Sequence, residues 1–549
     1  MTHSSAWRSA PARHCERTRD VLTMKGQEPA ETNHAGSSLA EPTSTSPARR
    51  VRADLHSPRG ALNTMPKRCV GAGRVAEGLR ADWQRQLAYV KRECDFGYLR
   101  MHGLLGDELG VYREDAAGRA EFNFQYIDEV YDFLLRIGVK PFVEIGFCPS
   151  ALASGSKTIF WWKGNVSRPN DMDKWHALIV ALVRHFTERY GEAEVATWYF
   201  EVWNEPNLAG FFDGTQADYF ELYARTARAV KRVSNAYRVG GPATAGCAWV
   251  PELIEYCARH AVPLDFVSTH DYAVEVGHLD ETGTAGTILS HDPRSIFGNV
   301  LAVREQIAAS ALPELELHFT EWSSSYTPAD PLHDSYHGAA FVLDKLKKSG
   351  AAVDSMSYWV FTDIFEEAGP RFTPFHGGFG LLNYQDIRKP VFFAYQFFNR
   401  LGPIELTCED ASSYVTRDAA GNVQVLLWDF TVANPERGEN NQLHYKRVQP
   451  ARAKGAVKVE LSNLTPGEYT QRVYQVGYRA NDAYTVYLEL GAPAQLTRNQ
   501  VEQLNAASDG KPSLETSVVV GGNGRFECEL ELRENDVWLI VVERNEHGG

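Results

Sequence analysis

Two short stretches set a glutamate among neighbours that chemistry uses. One reads Trp198-Tyr199-Phe200-Glu201-Val202-Trp203-Asn204-Glu205-Pro206-Asn207, the other His318-Phe319-Thr320-Glu321-Trp322. Each is a short apolar and aromatic run ending in a carboxylate, the pattern of a strand that delivers Glu205 or Glu321 to the edge of a sheet. Two carboxylates across one pocket are what acetal cleavage needs: one protonates the departing oxygen, the other attacks or stabilises an oxocarbenium-like centre. The two roles require different pKa values, which burial and mutual repulsion can raise for the donor and hydrogen bonds can lower for the nucleophile. Asn204 adds an amide for a sugar 2-hydroxyl, and Pro206 fixes the turn that follows. Retention of configuration requires the carboxyl groups to lie ~5–5.5 Å apart, inversion ~6.5–9.5 Å.

Positioning these groups is the task of the surrounding elements. From residue 67 to about 402, short apolar runs alternate with amphipathic stretches, which predicts strands at 69–74, 98–102, 141–147, 197–203, 238–242, 264–270, 315–321 and 355–361. Helices are expected between them at 81–93, 126–138, 171–190, 217–234, 251–260, 293–308, 334–350 and 390–401. Eight strand–helix units predict an α/β fold, a (β/α)8 TIM barrel, whose catalytic groups come from the carboxyl ends of the strands. Glu205 and Glu321 then end the fourth and seventh strands, on opposite sides of the ring. An open doubly wound sheet is the alternative, but Gly71-Ala72-Gly73-Arg74-Val75-Ala76 lacks the third glycine of its phosphate turn.

Past Leu401 the texture changes to alternating runs at 423–428, 457–461, 470–476, 518–520, 526–532 and 537–542, read as a C-terminal all-β sandwich spanning 403–549. A short helical insertion is expected near 481–508, where Thr497-Arg498-Asn499-Gln500 has capping-box form. Residues 1–64 are rich in Ser, Thr, Pro, Ala and Arg and read as a disordered tail, with Met24 and Met65 as alternative starts. The barrel domain therefore spans 65–402.

The chain has 549 residues and a net charge of −14, from 56 basic and 70 acidic side chains, which offers no general attraction to nucleic acid. No apolar run approaches a membrane span or a secretory signal. Eight scattered cysteines (15, 69, 94, 148, 247, 257, 408 and 528) read as buried thiols in a reducing compartment, so a cytoplasmic location is expected. His333 and His337 have the i, i+4 spacing of a metal site but no third ligand, and read as part of a surface helix. Gly155-Ser156-Lys157-Thr158 is not a phosphate loop, since the position five before Gly155 is Ser150. Trp161, Trp162 and Trp203 read as core filling.

The strings 200–208 and 320–326, with Phe375-His376-Gly377-Gly378-Phe379-Gly380-Leu381, resemble glycoside hydrolase family 39, and most of all its bacterial β-xylosidases. Arg100-Met101-His102-Gly103-Leu104-Leu105, Phe160-Trp161-Trp162-Lys163-Gly164-Asn165 and Tyr358-Trp359-Val360-Phe361-Thr362-Asp363-Ile364-Phe365-Glu366-Glu367 match as well, and the similarity runs from about 66 to 545. It implies a retaining exo-glycosidase releasing terminal β-D-xylosyl residues from xylo-oligosaccharides, with Glu205 as acid/base and Glu321 as nucleophile. It places Asn204 on the sugar 2-hydroxyl and puts His102, Phe160, His270, Tyr272, Tyr326, Trp359, Glu366 and Glu367 around the glycone. It implies no metal or organic cofactor, a small oligosaccharide or glycoside as the partner, and a tetrameric homo-oligomer. Where the family reads Ser-Arg-His-Ala-Tyr, this chain has Ser268-Thr269-His270-Asp271-Tyr272, which sets an extra carboxylate beside the pocket residues. The other readings are a retaining enzyme for an α-L-iduronide, a β-glucoside or an arabinoside, and a catalytically inactive carbohydrate-binding barrel. A uronate would need a basic partner, for which Arg74 and Arg100 are the strand-end candidates.

Overall fold

The structure is a computed structural model that describes residues 49–279, 285–432 and 439–545. Its centre is a closed barrel of eight parallel strands in sequence order: Cys69–Arg74, Tyr98–His102, Lys140–Ile145, Tyr199–Val202, Arg238–Ala245, Phe266–Tyr272, Glu316–Ser323 and Ser355–Tyr358. The pairing of Tyr358 with Val70 closes the ring. Alternate side chains of each strand face the barrel interior and the helices that surround it, so nearly every strand residue is buried. The expected strands and helices are all present, with ends shifted by a few residues.

Each helix packs an apolar stripe on this ring. Met172–Tyr190 buries Trp175, Leu178, Ile179, Leu182, Val183 and Phe186 at helical spacing, and Asp171 caps it by accepting from the amides of Asp173 and Lys174. Gln216–Val233 opens with a capping box between Thr215 and Asp218. Among the described residues no helix is long and apolar enough to cross a membrane.

The loops over the carboxyl ends carry three antiparallel strand pairs that periodicity does not announce: one within 112–122, one within 158–165, and Val274–Leu279 with Ala285–Leu289. The second consists of Thr158–Ile159 and Gly164–Asn165 and holds Phe160 in its turn with φ of 64°.

After the barrel come two stacked sheets, one of seven strands and one of three. Ile404–Leu406, Ser413–Arg417, Val423–Trp428, Val537–Arg544, Gly467–Val476 and Leu514–Val520 build the larger, and Ala453–Ser462 and Phe526–Arg533 most of the smaller. Arg498–Ala507 is the expected short helix, capped by Thr497 and Gln500, and Ala483–Glu489 precedes it.

The reading of residues 49–64 as disordered tail is overturned. Arg49–Asp54 pairs in parallel with Ala453–Ser462, and Pro58–Ala61 pairs antiparallel with Ile404–Leu406, so the N-terminal segment gives one edge strand to each sheet. Val51, Ala53 and Leu55 are buried with Val425, Leu427, Val459, Leu461 and Ile540. The run Arg50-Val51-Arg52-Ala53 alternates, but it is short, its inward residues are small and its outward ones are arginines. Its composition therefore resembles that of the preceding polar stretch. Residues 1–48, with Met24 and Cys15, lie outside the described residues. The remaining seven cysteines are free thiols.

Candidate active site

The third, fourth and seventh strands converge on one guanidinium, carried by the second. Arg100 is fully buried and donates from Nε to Glu201 Oε2 (2.7 Å), from Nη1 to Glu321 Oε1 (2.6 Å) and from Nη2 to Asn204 Oδ1 (2.8 Å), with Glu144 Oε2 at 2.9 Å from Nη2. Burial works against this charge, but Glu201, Glu144 and Glu321 outweigh it and hold Arg100 protonated, above its already high ordinary value. Asn204 uses its amide oxygen here, which leaves Nδ2 to donate to a ligand hydroxyl.

Glu205 and Glu321 meet above this cation. One carboxylate oxygen of each, with a ring nitrogen of His270, lie within 4.8 Å of one another. Their surroundings differ. Both oxygens of Glu321 are engaged, Oε1 by Arg100 and Oε2 by the Tyr272 hydroxyl at 2.8 Å. Burial lifts Glu321 above the ordinary carboxyl range, against the opposing pull of Arg100, His102 and Tyr272. Among the described residues the Glu205 carboxyl has one hydrogen-bond partner, the neutral imidazole of His270, at 3.0 Å between Nδ1 and Oε1. Burial first, and the Glu321 charge second, push it well above the ordinary range, with Arg100 opposing. The arrangement favours a proton on Glu205 and a charge on Glu321.

Glu205 also sits on unusual backbone. Trp203 and Glu205 have φ of 72° and 45°, left-handed values that cost ~1–3 kcal/mol each in residues with a side chain. They are held there by Trp203 N–H on Ile145 O (3.0 Å) and Glu205 N–H on Ala243 O (2.8 Å). The strain turns Asn204 and Glu205 into the mouth of the barrel.

Most residues expected around a glycone come together. His102 Nδ1 donates to Glu144 Oε2 (2.6 Å), and its Nε2 lies 3.5 Å from Glu321 and 3.7 Å from Glu367. Burial holds it neutral, pushed down to about 3. Trp359 and Phe160 flank its ring with centroids at 4.7 and 6.0 Å. Trp359 lies so close to the first strand that a Cβ on Gly71 would stand 2.4 Å from its ring, so only glycine fits there. Tyr326 is 50% exposed and meets Tyr272 edge-on at 6.2 Å, at the rim.

Glu366 departs from the expected ring around the glycone. Its carboxylate binds Arg74 (2.8 Å) and Arg80 (2.9 Å), in a network that also takes in Glu77 and Glu108, and no contact joins it to Glu205 or Glu321. At the turn that begins here, Glu367 faces His102 while Glu366 points to Arg74 and Arg80. Asp271 likewise turns away from the pocket: His270 and Tyr272 face in, and Asp271 accepts from Asn299 Nδ2 at 2.9 Å among the surrounding helices. His333 and His337 are buried, not on a surface helix, and bond to backbone carbonyls of Gly377 and Ser325 and to Ser335. Trp203 is core, whereas Trp161 is 57% exposed.

Sequence reasoning named Arg100 only as a candidate partner for a uronate, and did not pick out Glu144, Glu201 and Thr320 as site residues. A signal existed, since Arg100 and His102 share a strand face, as do Glu201 and Trp203, and charged residues facing a barrel interior need partners there.

The sequence model of Glycosyl hydrolases family 39 matches residues 49–527. The chain belongs to glycoside hydrolase family 39. The family match starts at Arg49 and so takes in both N-terminal strands. A beta-xylosidase of Geobacillus stearothermophilus is 39% identical over 87% of this chain and 92% of its own length. The GH39 enzyme from Xanthomonas axonopodis pv. citri superposes with a TM-score of 0.89 at 42% identity, covering 92% of this chain and all of its own. A monomeric beta-xylosidase from Caulobacter crescentus CB15 gives a TM-score of 0.87 at 44% identity, covering 90% of this chain and all of its own. The chain is a glycoside hydrolase on this footing.

Proposed function

We propose that the chain is a retaining exo-β-xylosidase that removes terminal β-D-xylosyl residues from short xylo-oligosaccharides. The observation that carries this reading is the close approach of Glu205 and Glu321, within 4.8 Å, in unlike electrostatic settings. That approach falls on the short side of the separation that divides retention from inversion. In the first step Glu321 attacks the anomeric carbon while Glu205 gives its proton to the leaving oxygen. In the second, ionised Glu205 takes a proton from water, which displaces Glu321 from the glycosyl-enzyme. Asn204 Nδ2 serves the 2-hydroxyl. His102, Phe160, His270, Tyr272, Trp359 and Glu367 wall the glycone, with Tyr326 at its rim and Glu366 bracing the wall through Arg74. Double displacement by two carboxylates asks for no metal or organic cofactor.

Xylose is favoured over a uronate because both strand-end arginines are already committed. Arg100 is shared among Glu144, Glu201, Glu321 and Asn204, and Arg74 among Glu77, Glu108 and Glu366. A substrate carboxylate would meet Glu367 with no free cation from these two beside it. The names of the relatives in Geobacillus and Caulobacter support the same sugar. A panel of aryl glycosides, with the first-formed anomer read by NMR, tests the proposal. The expected result is a β-xyloside turned over at least tenfold faster than the β-glucoside, arabinoside or α-L-iduronide, with β-xylose formed first. Preference for another sugar, α-xylose as first product, or no turnover at all would each overturn it.

A further inference from the structure

A chain of hydrogen bonds runs from Arg100 to Glu205 by way of Glu201, Thr320 and His270. Arg100 Nε donates to Glu201 Oε2 at 2.7 Å, and the Thr320 hydroxyl donates to Glu201 Oε1, also at 2.7 Å. His270 Nε2 stands 3.1 Å from Thr320 Oγ1, and His270 Nδ1 stands 3.0 Å from Glu205 Oε1. Thr320, His270 and Glu201 are fully buried.

The directions of these bonds are fixed from the Arg100 end. A carboxylate is an acceptor only, and Thr320 is the one donor to Glu201 Oε1 among the described residues, so the single hydroxyl proton of Thr320 goes there. Thr320 Oγ1 is then left to accept, which requires the proton of His270 to sit on Nε2. Burial, with Arg100 and His102 nearby, keeps His270 neutral, so Nδ1 carries a lone pair. Glu205 can complete the bond to Nδ1 only as the protonated acid. The opposite tautomer would turn the Thr320 proton toward the imidazole and leave Oε1 of Glu201, buried and paired with Arg100 through its other oxygen, facing a lone pair at 2.7 Å.

We propose that Thr320 is a positioning residue whose hydroxyl, anchored on Glu201, fixes the Nε2–H tautomer of His270 and so holds the proton on Glu205 until a glycosidic oxygen takes it. Arg100 thereby serves both carboxylates: directly it keeps Glu321 ionised, and through four bonds it keeps Glu205 protonated. After the first step the same lone pair faces a Glu205 carboxylate, which favours its taking a proton back from the attacking water. This rests on the reading of Glu205 as acid/base. The other groups that bear on Glu205 are Glu321, Glu144, Glu367, Tyr272 and Arg100, and replacement of Thr320 removes none of them.

The experiment combines long-range proton–nitrogen spectra of histidine-labelled enzyme, with His270 assigned by loss of its signals in His270→Asn, and pH profiles of kcat/KM. Wild type should show His270 as Nε2–H. Thr320→Val, which keeps the shape and loses the hydroxyl, should shift His270 toward Nδ1–H and lower the pKa of the alkaline limb by about one unit. Thr320→Ser should restore both. An Nδ1–H signal in the wild type, or an alkaline limb unmoved in Thr320→Val, would overturn the relay. Failure of the acid/base reading shows differently: Glu205→Gln would then keep the alkaline limb whatever tautomer His270 adopts, and the relay would fall with it.

Discussion

Glu205 and Glu321 are the same amino acid in one pocket, and their contacts separate them. Glu321 accepts two hydrogen bonds, one from a permanent cation, while Glu205 faces an imidazole lone pair and a neighbouring charge. The difference predicts unlike outcomes on removal. In Glu205→Ala, Glu321 still attacks a substrate with a good leaving group, the glycosyl-enzyme accumulates, and azide enters the vacated space to give a β-glycosyl azide with net retention. Glu321→Ala has no nucleophile, so its rate should fall by about 10⁴-fold or more even on activated substrates, with azide giving inverted product. Product configuration by NMR decides: an inverted azide from Glu205→Ala would reverse the assignment.

A strand alternates, and that single rule sorts the sixth strand. His270 and Tyr272 reach the two carboxylates, while Asp271 between them is driven into the apolar layer between barrel and helices. Burial pushes Asp271 up to about 7, with only Asn299 and the Tyr272 amide to oppose it. Because the folded-state pKa lies above the unfolded value, the folded protein holds the extra proton between pH ~4 and ~7. Stability from this group is present below that window and is lost as pH rises through it. Asp271→Asn should therefore exceed wild type by only about 1 kcal/mol near pH 4.5 and by about 4 kcal/mol at pH 8, measured by urea unfolding. A difference that does not change with pH would show that Asp271 stays ionised in the folded state. The extra carboxylate thus bears on stability and not on the charge of the pocket.

At the scale of the whole molecule, the first and last described segments of the chain share the same two sheets. Arg49–Asp54 and Pro58–Ala61 close the outer edges of two sheets whose other strands all follow the barrel. Arg49 fastens this end further, with both terminal nitrogens and Nε bound to Asp410, Trp428 O and Ser412 O. Removal of residues 1–64 should lower the melting temperature by about 5 °C or more, since it uncovers the apolar residues that Val51, Ala53 and Leu55 pack against. Removal of residues 1–48, which carry few large apolar side chains, should leave melting unchanged. Calorimetry of the two truncations separates them, and equal melting of the longer deletion and the full chain would show that the edge strands add nothing to stability.

Period and punctuation in the sequence were enough for the eight strand–helix units, because each buries a long apolar face that must repeat at 2 or 3.6 residues. The carboxylates were legible for a related reason: Trp203-Asn204-Glu205-Pro206 and Glu321 stand at strand ends, where chain order alone assigns them to one mouth of a barrel. Edge strands as short as Arg49–Asp54 carry too few inward residues to stand out from a polar tail, and only pairing with a strand some four hundred residues away reveals them. The sequence places Glu366 and Glu367 side by side, and only the packed loop shows that one meets arginines and the other the site. Arg100 was legible as a strand-end cation but not in its role. Its partners come from the third, fourth and seventh strands, and a buried charge takes its meaning from groups that only tertiary closure brings within 3 Å.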